Sequence, residues 1–507
     1  MNSPSPIPAS PGPSGPRRAG APRIVIRLEQ QARSAESDLL NLARQLGYTD
    51  LAEFLTARSR IESARVIRHT PPEAIWRKEE IGRRGEFPPV KSLASYWRLH
   101  LGPDDEPEEA RAELGKMREI EIAYLETEVI EASCLDVSNN DYEGNQHVLD
   151  DAPQGIGARR AWCRANGTGQ NVSVIDLEYN WILAHEDLPV FSILYGQNGT
   201  LSGAVMGDHG AAVLSIIGAL NNDRGVVGIA PNLTALNAVS HYDHATGTFY
   251  HVADAIEAAT SYLKAGDILC IEVQRVHAAT QYPVEIDPVD RDAIRLACNQ
   301  GIIVIEAAGN GNSNLDDFLD TTTKVSLDPD DGPPHFIDTG AVMVGASHYA
   351  VVPDPAVFDG HTKYDSSNYG KRIDCYALGQ SNYTAGFDDL GANQLGSATG
   401  YTSNFRATSA ATAIVTGAAA LVQGWYRSAW CKQPLRPSQM RAMLSNPVTG
   451  TKQALVNQKP IGVMPDLDRI MTFKTRLRSI LLCLFSRLNR HKIDRFSAYE
   501  EFKQAKP

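Results

Sequence analysis

The sequence predicts an α/β protein built on a mostly parallel β-sheet with helices on both faces, preceded by a small α+β domain. Three observations lead to this fold class. Short apolar runs alternate with helical stretches after residue 155, and such alternation produces a parallel sheet covered on both sides. A polar Gly/Asn/Asp-rich segment, 135–154, separates that region from the residues in front of it. Finally, a Gly-rich polar loop leads into a helix of small apolar residues, 405–422.

The front part of the chain predicts a small independent domain. Residues 1–22 are rich in Pro and Ser, and we expect them to form a disordered leader. Residues 23–134 follow as a domain whose strands and helices run in the order β-α-β-β-α-β, which fits a ferredoxin-like arrangement. The expected strands are Arg23–Glu29, Ala64–Ile67, Ser95–Leu101 and Glu121–Val129, and the expected helices are Ser37–Leu46, Asp50–Ala57 and Glu108–Met117. Nothing in this domain indicates catalysis.

The main domain is expected over residues 155–466, after a linker at 135–154. Its predicted strands are Asn171–Ile175, Val226–Ile229, Ile268–Val273, Ile302–Glu306 and Val342–Val344, and its predicted helices include Ala211–Leu220, Val252–Leu263 and Asp290–Asn299. Functional residues in such a fold lie beyond the carboxyl ends of the strands. Residues 467–507 form a basic helical tail, which either packs as an ordinary helix or contacts an anionic membrane or a partner.

Composition excludes several classes of protein. A formal charge of −12 argues against nucleic-acid binding, because phosphate neutralisation needs clustered Lys and Arg. Seven scattered cysteines without C-x-x-C spacing form neither a disulfide framework nor a zinc site. No apolar run reaches the roughly 18 residues of a transmembrane segment, and the N-terminus has no apolar signal region. The location is left open, with a cytoplasmic chain favoured.

One segment carries a candidate nucleophile. The helix of small residues that follows the Gly-rich loop begins near Thr408 and Ser409, and either hydroxyl is expected to cap its first turn. A serine there lies at the positive end of the helix dipole, an environment that suits a reaction developing an oxyanion. The alternative is a plain cap on a core helix.

Three further side chains lie at strand ends or helix starts of the same domain. Asp176 ends a strand, His209 precedes a helix, and Asn310 follows the strand Ile302–Glu306. Taken singly, they are equally typical of a solvated loop acid, a helix cap and an Asn-Gly turn. Together with Ser409 they supply an acid, a base, an amide donor and a nucleophile. Their order along the chain is one of the known orders of a Ser-His-Asp triad.

Four segments with these residues resemble the subtilisin-like serine proteases, the subtilase family. They are V-I-D-L-E, D-H-G-A-A-V-L-S-I-I-G-A, A-A-G-N-G and A-T-S-A-A-T-A-I-V-T-G, and the resemblance extends from about Gln154 to Val463. It implies that Ser409 is the nucleophile, His209 the general base and Asp176 the orienting acid. Asn310 would donate to the oxyanion. The substrate-binding residues implied are Ala307, Ala308, Gly309, Glu272 and Val273.

The resemblance also implies partners. Many subtilases carry a ferredoxin-like propeptide, so residues 23–134 would act as an intramolecular inhibitor and folding aid, with Tyr124–Val129 leading towards the cleft. The substrate would be a peptide or protein. No cofactor is required and no metal ligand is assigned. Structural calcium is common in the family, but it is bound by variable loops whose ligands cannot be identified from this sequence.

Several positions depart from the family pattern. Leu177 and Glu178 follow the aspartate where small residues are usual, Ala407 and Ala413 replace a Gly and a Pro, and Glu272 lies in the substrate-pairing strand. A catalytically impaired homologue that binds peptides or regulates a partner is therefore the second interpretation. A nucleotide-binding protein is disfavoured, because no G-x-G-x-x-G or G-x-x-x-x-G-K-[ST] loop follows a strand.

Overall fold

A computed structural model of the chain describes residues 23–472 except 30–33, 84, 86–90, 103–104, 127–128, 131–141, 197–203, 244–247, 250, 352–357, 430–432 and 455–458. It divides into two compact units, one of residues 1–77 and 91–127 and the other of residues 78–90 and 128–507. The predicted leader, the first part of the predicted linker and the basic tail beyond residue 472 lie outside the described residues. The domain boundaries given above stay predictions.

The first unit holds a four-stranded antiparallel sheet in the order β2-β3-β1-β4. Apolar side chains of β1, including Ile24 and Ile26, pack with those of α1, α2 and α4 in one core. The helix α3 was not predicted from the sequence, and nearly half of its residues are charged. The elements are β1 (Arg23–Leu28), α1 (Leu39–Leu46), α2 (Thr49–Ala57), β2 (Glu62–Arg65), α3 (Pro72–Gly82), β3 (Tyr96–His100), α4 (Pro107–Leu114) and β4 (Ile120–Leu125). The unit is the small α+β domain that the sequence predicts.

The second unit carries the remaining elements. The first of these, as far as residue 299, are β5 (Val129–Ile130), α5 (Ala158–Trp162), β6 (Ser173–Glu178), α6 (Ala204–Gly218), β7 (Ala235–Ser240), β8 (Tyr242–Asp243), β9 (Thr248–Phe249), α7 (Val252–Thr260), β10 (Ile268–Ile271), β11 (Gln274–His277), β12 (Thr280–Pro283) and α8 (Pro288–Asn299). They are followed by β13 (Ile303–Ala307), β14 (Val342–Ser347), β15 (Cys375–Leu378), β16 (Asn382–Ala385), β17 (Tyr401–Phe405), α9 (Ala407–Ala429), α10 (Pro437–Leu444), β18 (Thr451–Lys452) and β19 (Val463–Met464).

An eight-stranded sheet in the order β18-β19-β15-β14-β13-β10-β6-β7 forms the centre of this unit. Every neighbouring pair from β19 to β7 is parallel, and β18 joins the edge antiparallel. A mostly parallel sheet agrees with the predicted fold class. Its central strands are mostly apolar, as expected when helices cover both faces, with acids only near the carboxyl ends of β6 and β13.

Helix α9 is the main apolar element packed on this sheet. Within the described residues it is the one helix whose length and hydropathy would suit a membrane span, a possibility that the sequence analysis excluded. The segment Ala407–Ser428 is 94% buried inside the protein, as a core helix should be. Its small side chains let it lie close to β14 and β15, which it contacts along their length.

Two local predictions were wrong. Val226–Ile229 forms no strand, because its amides bind loop and helix acceptors instead of a ladder: the N–H of Val226 donates to Asp187 Oδ2 at 2.8 Å and that of Ile229 to the Ile216 carbonyl at 2.9 Å. The edge strand is β7, a few residues further on. Helix α6 starts at Ala204, earlier than predicted, so that His209 lies inside the helix.

A network of buried, oppositely charged side chains lies at one side of the sheet. The fully buried guanidinium of Arg372 donates to both carboxylate oxygens of Glu285, at 2.6 and 3.0 Å, and to Asp374 at 3.1 Å. The backbone N–H of Glu285 donates to Glu306 on β13. Breaking a buried pair on one side leaves a charge without compensation in a medium of low dielectric constant.

We therefore expect Arg372→Met to lower the free energy of unfolding by about 3–5 kcal/mol, since it strands the Glu285 carboxylate inside the protein. Urea unfolding followed by circular dichroism measures the change. The matched control is Arg224→Met, which removes an exposed guanidinium that lies 3.3 Å from Glu186 and should cost less than about 1 kcal/mol. Equal losses of unfolding free energy in the two variants would show that the buried Arg372 network stabilises the protein no more than an exposed ion pair does.

Candidate active site

The predicted site residues come from the carboxyl ends of neighbouring strands. Asp176 and Glu178 lie at the end of β6, Glu272 directly follows β10, and Asn310 follows β13. These three strands are adjacent and parallel, so their carboxyl ends meet at one edge of the sheet. Helix α9 begins at the same edge, because Thr408 at its start hydrogen-bonds to Asn310.

The start of α9 is shaped by backbone geometry around Ser409. Ala407 has φ 66°, a left-handed conformation that costs an L-residue roughly 1–2 kcal/mol and that favours glycine. Its N–H donates to the carbonyl of Gly379 at 2.9 Å. Ser409 follows in the first turn with a fully buried side chain, and its Oγ makes no well-formed hydrogen bond among the described residues. The hydroxyl is thus held, buried, at the head of the helix.

Asn310 caps this helix, in place of the hydroxyl cap that the sequence predicts. Both the N–H and the Oγ1 hydroxyl of Thr408 donate to Asn310 Oδ1, at 3.1 and 2.8 Å. The backbone N–H of Asn310 in turn donates to Gln274 Oε1 at 2.9 Å. With Oδ1 engaged, the side-chain NH₂ group is the donor that remains for a ligand oxygen beside Ser409. This orientation suits an oxyanion donor.

His209 is bound to a carboxylate, and that carboxylate belongs to Glu178. His209 Nδ1 lies 2.7 Å from Glu178 Oε1, and both side chains are buried. The ring also packs edge-on against Phe405, with 5.1 Å between the ring centres. Burial raises the pKa of the Glu178 carboxyl well above its usual range. A hydrogen bond at Nδ1 fixes the tautomer that keeps Nε2 as the basic nitrogen.

Asp176, the acid that the resemblance selects, has a different partner. Its Oδ2 accepts from the indole Nε1–H of Trp181 at 2.8 Å, and its Oδ1 is buried with no hydrogen-bond partner in the part of the chain that the structure describes. Burial, followed by the charge of Glu178, raises the pKa of Asp176 well above its usual range. The charge of His209 is among the smaller influences that oppose this rise, and the orienting role of Asp176 stays a prediction.

The length of β6 explains this difference. The strand continues to Glu178 and pairs with Ser240 of β7, three residues beyond the predicted end. Since side chains in a strand alternate, residues 176 and 178 project from the same face, and the second of them lies closer to the loop side. Leu177-Glu178 was the visible departure from the family pattern, and it was the sequence signal for this arrangement.

The loop after β6 completes the surroundings of the two acids. Trp181 packs against Gly210, the residue after His209, where an added Cβ would lie 2.2 Å from the Asn180 carbonyl oxygen and 2.5 Å from the Trp181 ring. Only glycine permits this approach. The close packing holds the indole where it donates to Asp176.

The predicted substrate-binding residues fall into two groups. Ala307, Ala308 and Gly309 end β13 beside the site; both alanines are buried, and Gly309 has φ 88°. Glu272 and Val273 are also buried, at 1% and 0% exposure, in the turn between β10 and β11. These two side chains lie inside the protein, and the backbone edge that the resemblance assigns to substrate continues into β11.

That edge is paired with another segment of the chain. Strand β5 runs antiparallel to β11, with Ile130 opposite Gln274 and Val129 opposite Arg275. The opposite side of β11 pairs with β12 in a hairpin. An extended segment added to a sheet edge is the usual way in which a peptide binds by its backbone.

Within the described part of the chain, His251, Asp287 and Asp290 are the one group of side chains spaced to hold a metal ion. The guanidinium of Arg275 lies among them, 2.7 Å from Asp290 and 3.6 Å from Asp287. A permanent cation already neutralises these carboxylates. The group therefore forms a buried ion cluster and not a metal centre.

Comparison with known proteins identifies the second unit. A family model described as "Subtilase family" matches residues 194–462. Subtilisin DY of Bacillus licheniformis is 25% identical over 284 residues, which are 55% of this chain and 85% of that protein. Among solved structures, fervidolysin from Fervidobacterium pennivorans, described as a keratinolytic enzyme related to subtilisin, superposes with a TM-score of 0.55 at 16% identity.

The structural match covers 90% of this chain and 62% of fervidolysin, so the chain spans about three fifths of that enzyme's length. At this identity the likeness concerns the fold, which includes the mostly parallel sheet. The family model covers more than half of the chain, and its members are serine peptidases. The chain belongs to the subtilase family of serine peptidases.

Proposed function

We propose that the protein is a serine endopeptidase in which Ser409 is the nucleophile, His209 the general base and Glu178 the acid that orients the base. The hydrogen bond of 2.7 Å between His209 and Glu178, formed at the same sheet edge as Ser409 and Asn310, is the observation that supports it most. In this proposal Glu178 takes the role that the family resemblance gives to Asp176. Asp176 becomes a second buried acid behind the pair.

The reaction would proceed by acyl transfer. Ser409 Oγ attacks the peptide carbonyl carbon while its proton moves to His209 Nε2, and the carboxylate of Glu178 stabilises the imidazolium. The Asn310 NH₂ group and the Ser409 N–H donate to the carbonyl oxygen as it becomes negative. The C–N bond then breaks, and the leaving amine takes the proton from His209. Water, activated by the same imidazole, hydrolyses the acyl-enzyme and restores the Ser409 hydroxyl.

We further propose that the first unit is a propeptide that inhibits the enzyme. Support comes from β5, which immediately follows that unit in sequence and pairs with Gln274 and Arg275 of β11. A substrate peptide would use the same backbone edge, so the chain's own segment competes with it. Ala307, Ala308 and Gly309 would form a wall of the adjoining substrate pocket.

The first test compares the intact masses of the purified wild type and Ser409→Ala. We expect the wild type alone to lose an N-terminal piece of ~13–16 kDa, the mass of a domain of this size at about 110 Da per residue. A fluorophosphonate should add to the wild type only, because it reacts with an activated serine hydroxyl. If the wild type is neither processed nor labelled, the chain is an impaired homologue, and the proposed activity is refuted.

A second test separates the two buried acids. We expect Glu178→Gln to lower kcat about 10⁴-fold, since the amide favours the wrong imidazole tautomer, as the equivalent change does in other triads. Asp176→Asn is the matched control and should lower kcat far less, because its partner is Trp181 and not His209. Steady-state cleavage of a peptide substrate measures both. A larger loss of kcat in Asp176→Asn than in Glu178→Gln would show that Asp176 is the acid that orients His209.

The oxyanion donor gives a third test. Asn310→Ala should lower kcat by about 10²–10³-fold with little change in KM, because the lost donor acts mainly in the transition state. Thr408→Val keeps the amide of Asn310 but removes the hydroxyl that donates to its Oδ1. We expect the kcat of this control variant to lie between the values of the wild type and Asn310→Ala. Equal values of kcat for wild type and Asn310→Ala would exclude the assigned role.

A further inference from the structure

Glu272 places a third buried carboxyl in the site. Its backbone N–H continues the ladder beyond β10, donating to the Leu177 carbonyl at 3.4 Å. Two residues earlier, Cys270 lies opposite Asp176 in the parallel register. Since side chains alternate along a strand, Glu272 projects from the face that carries Cys270, Asp176 and Glu178. This is the face on which α9 packs, as shown by the Thr416 hydroxyl, which lies 3.2 Å from Cys270 Sγ.

One oxygen of Glu272 is engaged and the other is not. Oε1 accepts from Cys270 Sγ at 3.3 Å, whereas Oε2 is buried and has no hydrogen-bond partner in the described residues. Ser409 Oγ is another buried oxygen without a well-formed hydrogen bond in the described residues, as are Asp176 Oδ1 and Glu178 Oε2 on the neighbouring strand. Glu272 and Ser409 are neighbours, because Ser409 is one of the hydrogen-bonding groups that lower the pKa of Glu272. Buried polar groups are rarely left unpaired, so a pairing of these two oxygens is the simplest way to satisfy both.

The charges around Glu272 decide which of the two oxygens donates. Burial is the main cause of its raised pKa, and the charges of Glu178 and Asp176 on β6 add to it. Cys270, on its own strand, has a raised pKa as well and is neutral. The base that faces these acids from α6 is His209, bound to Glu178. One imidazole cannot neutralise three adjacent carboxylates, so burial and the neighbouring charges favour the protonated form of Glu272.

We propose that Glu272 is a positioning residue for the nucleophile: its carboxyl group pairs with the Ser409 hydroxyl and sets the direction in which that hydroxyl donates. As an acid, Oε2–H donates to a lone pair of Ser409 Oγ and leaves the hydroxyl proton directed to His209. As a carboxylate, the same oxygen accepts the Ser409 proton and draws it away from the base. Ionisation of Glu272 therefore withdraws the nucleophile from the triad. This inference rests on the proposed function of Ser409 and His209.

The neighbouring strand supplies a matched control residue. Glu306 on β13 is also fully buried near the carboxyl end of its strand, opposite Ile271 in the register. Its Oε1 accepts from the backbone N–H of Glu285, and its raised pKa results from burial and from the Glu285 charge. Glu306→Gln thus removes a buried acid next to the site without touching Ser409.

The experiment measures the rate of fluorophosphonate addition to full-length protein between pH 5 and 10, by intact mass. In the wild type we expect a rise as His209 loses its proton and a fall of tenfold or more at alkaline pH as Glu272 ionises. Glu272→Gln retains a neutral donor, so its rate should rise in the same way and then stay level. Glu272→Leu cannot donate and should be slower by about tenfold at every pH, without the alkaline fall. Glu306→Gln should keep the wild-type profile.

Three outcomes overturn the inference. If the wild type reacts and the Glu272→Gln profile superimposes on it, Glu272 does not control the hydroxyl, although the proposed function stands. An alkaline fall abolished equally by Glu306→Gln also excludes a specific role for Glu272. Absence of reaction in the wild type at every pH would refute the proposed function itself, and this inference with it. Melting temperatures of the variants, measured alongside, show whether each rate belongs to folded protein.

Discussion

The site depends on how the first turn of α9 is fixed. A helix of small residues is buried along the sheet, and an amide of its first turn is bound by a side chain from the loop after β13, through the pair of hydrogen bonds from Thr408 to Asn310. This contact satisfies an orphan N–H of the helix and engages the Oδ1 atom of Asn310. In our proposal this one interaction fixes both the start of the helix that carries the nucleophile and the side chain that donates to the oxyanion.

Ala407 shows the strain that this arrangement imposes. A residue with a Cβ occupies a left-handed backbone position at the entrance to the helix, and the surrounding contacts hold it there, including the hydrogen bond from its N–H to Gly379. Strain of this kind persists where the rest of the structure over-determines the backbone, and it is often found at functional sites. The departure from glycine is accommodated without loss of the helix start.

The second feature of the site is its density of buried acids. Asp176, Glu178 and Glu272 lie on one face of two neighbouring strands, and burial raises the pKa of each. Carboxyl groups so placed cannot all be ionised, because the low dielectric constant strengthens their repulsion. In our proposal the imidazole of His209 takes up the charge of the acid that it binds, Glu178. The remaining acids then serve as neutral hydrogen-bonding groups in our proposal.

The sequence by itself determined the fold class, the subtilase membership and the set of segments that form the site. These features are local patterns, which can be recognised without knowing any tertiary contact. They are the alternation of strands and helices and the four motifs around Asp176, His209, Asn310 and Ser409. Even so, the predicted position of the edge strand was wrong. Val226–Ile229 is as apolar as a strand, but its backbone N–H groups donate to acceptors in a loop and in α6.

Only the tertiary structure decided which acid holds the histidine and which side chain caps α9. Both depend on distances between segments far apart in sequence: 2.7 Å from His209 to Glu178, and 2.8 Å from Thr408 to Asn310. Asp176 and Glu178 are two residues apart on one strand face, so the sequence does not show which of them binds His209. In the structure β6 extends as far as Glu178, and the indole of Trp181 binds Asp176. A linear pattern specifies which groups are present, whereas pairing among buried groups depends on the packing of the whole sheet and its helices.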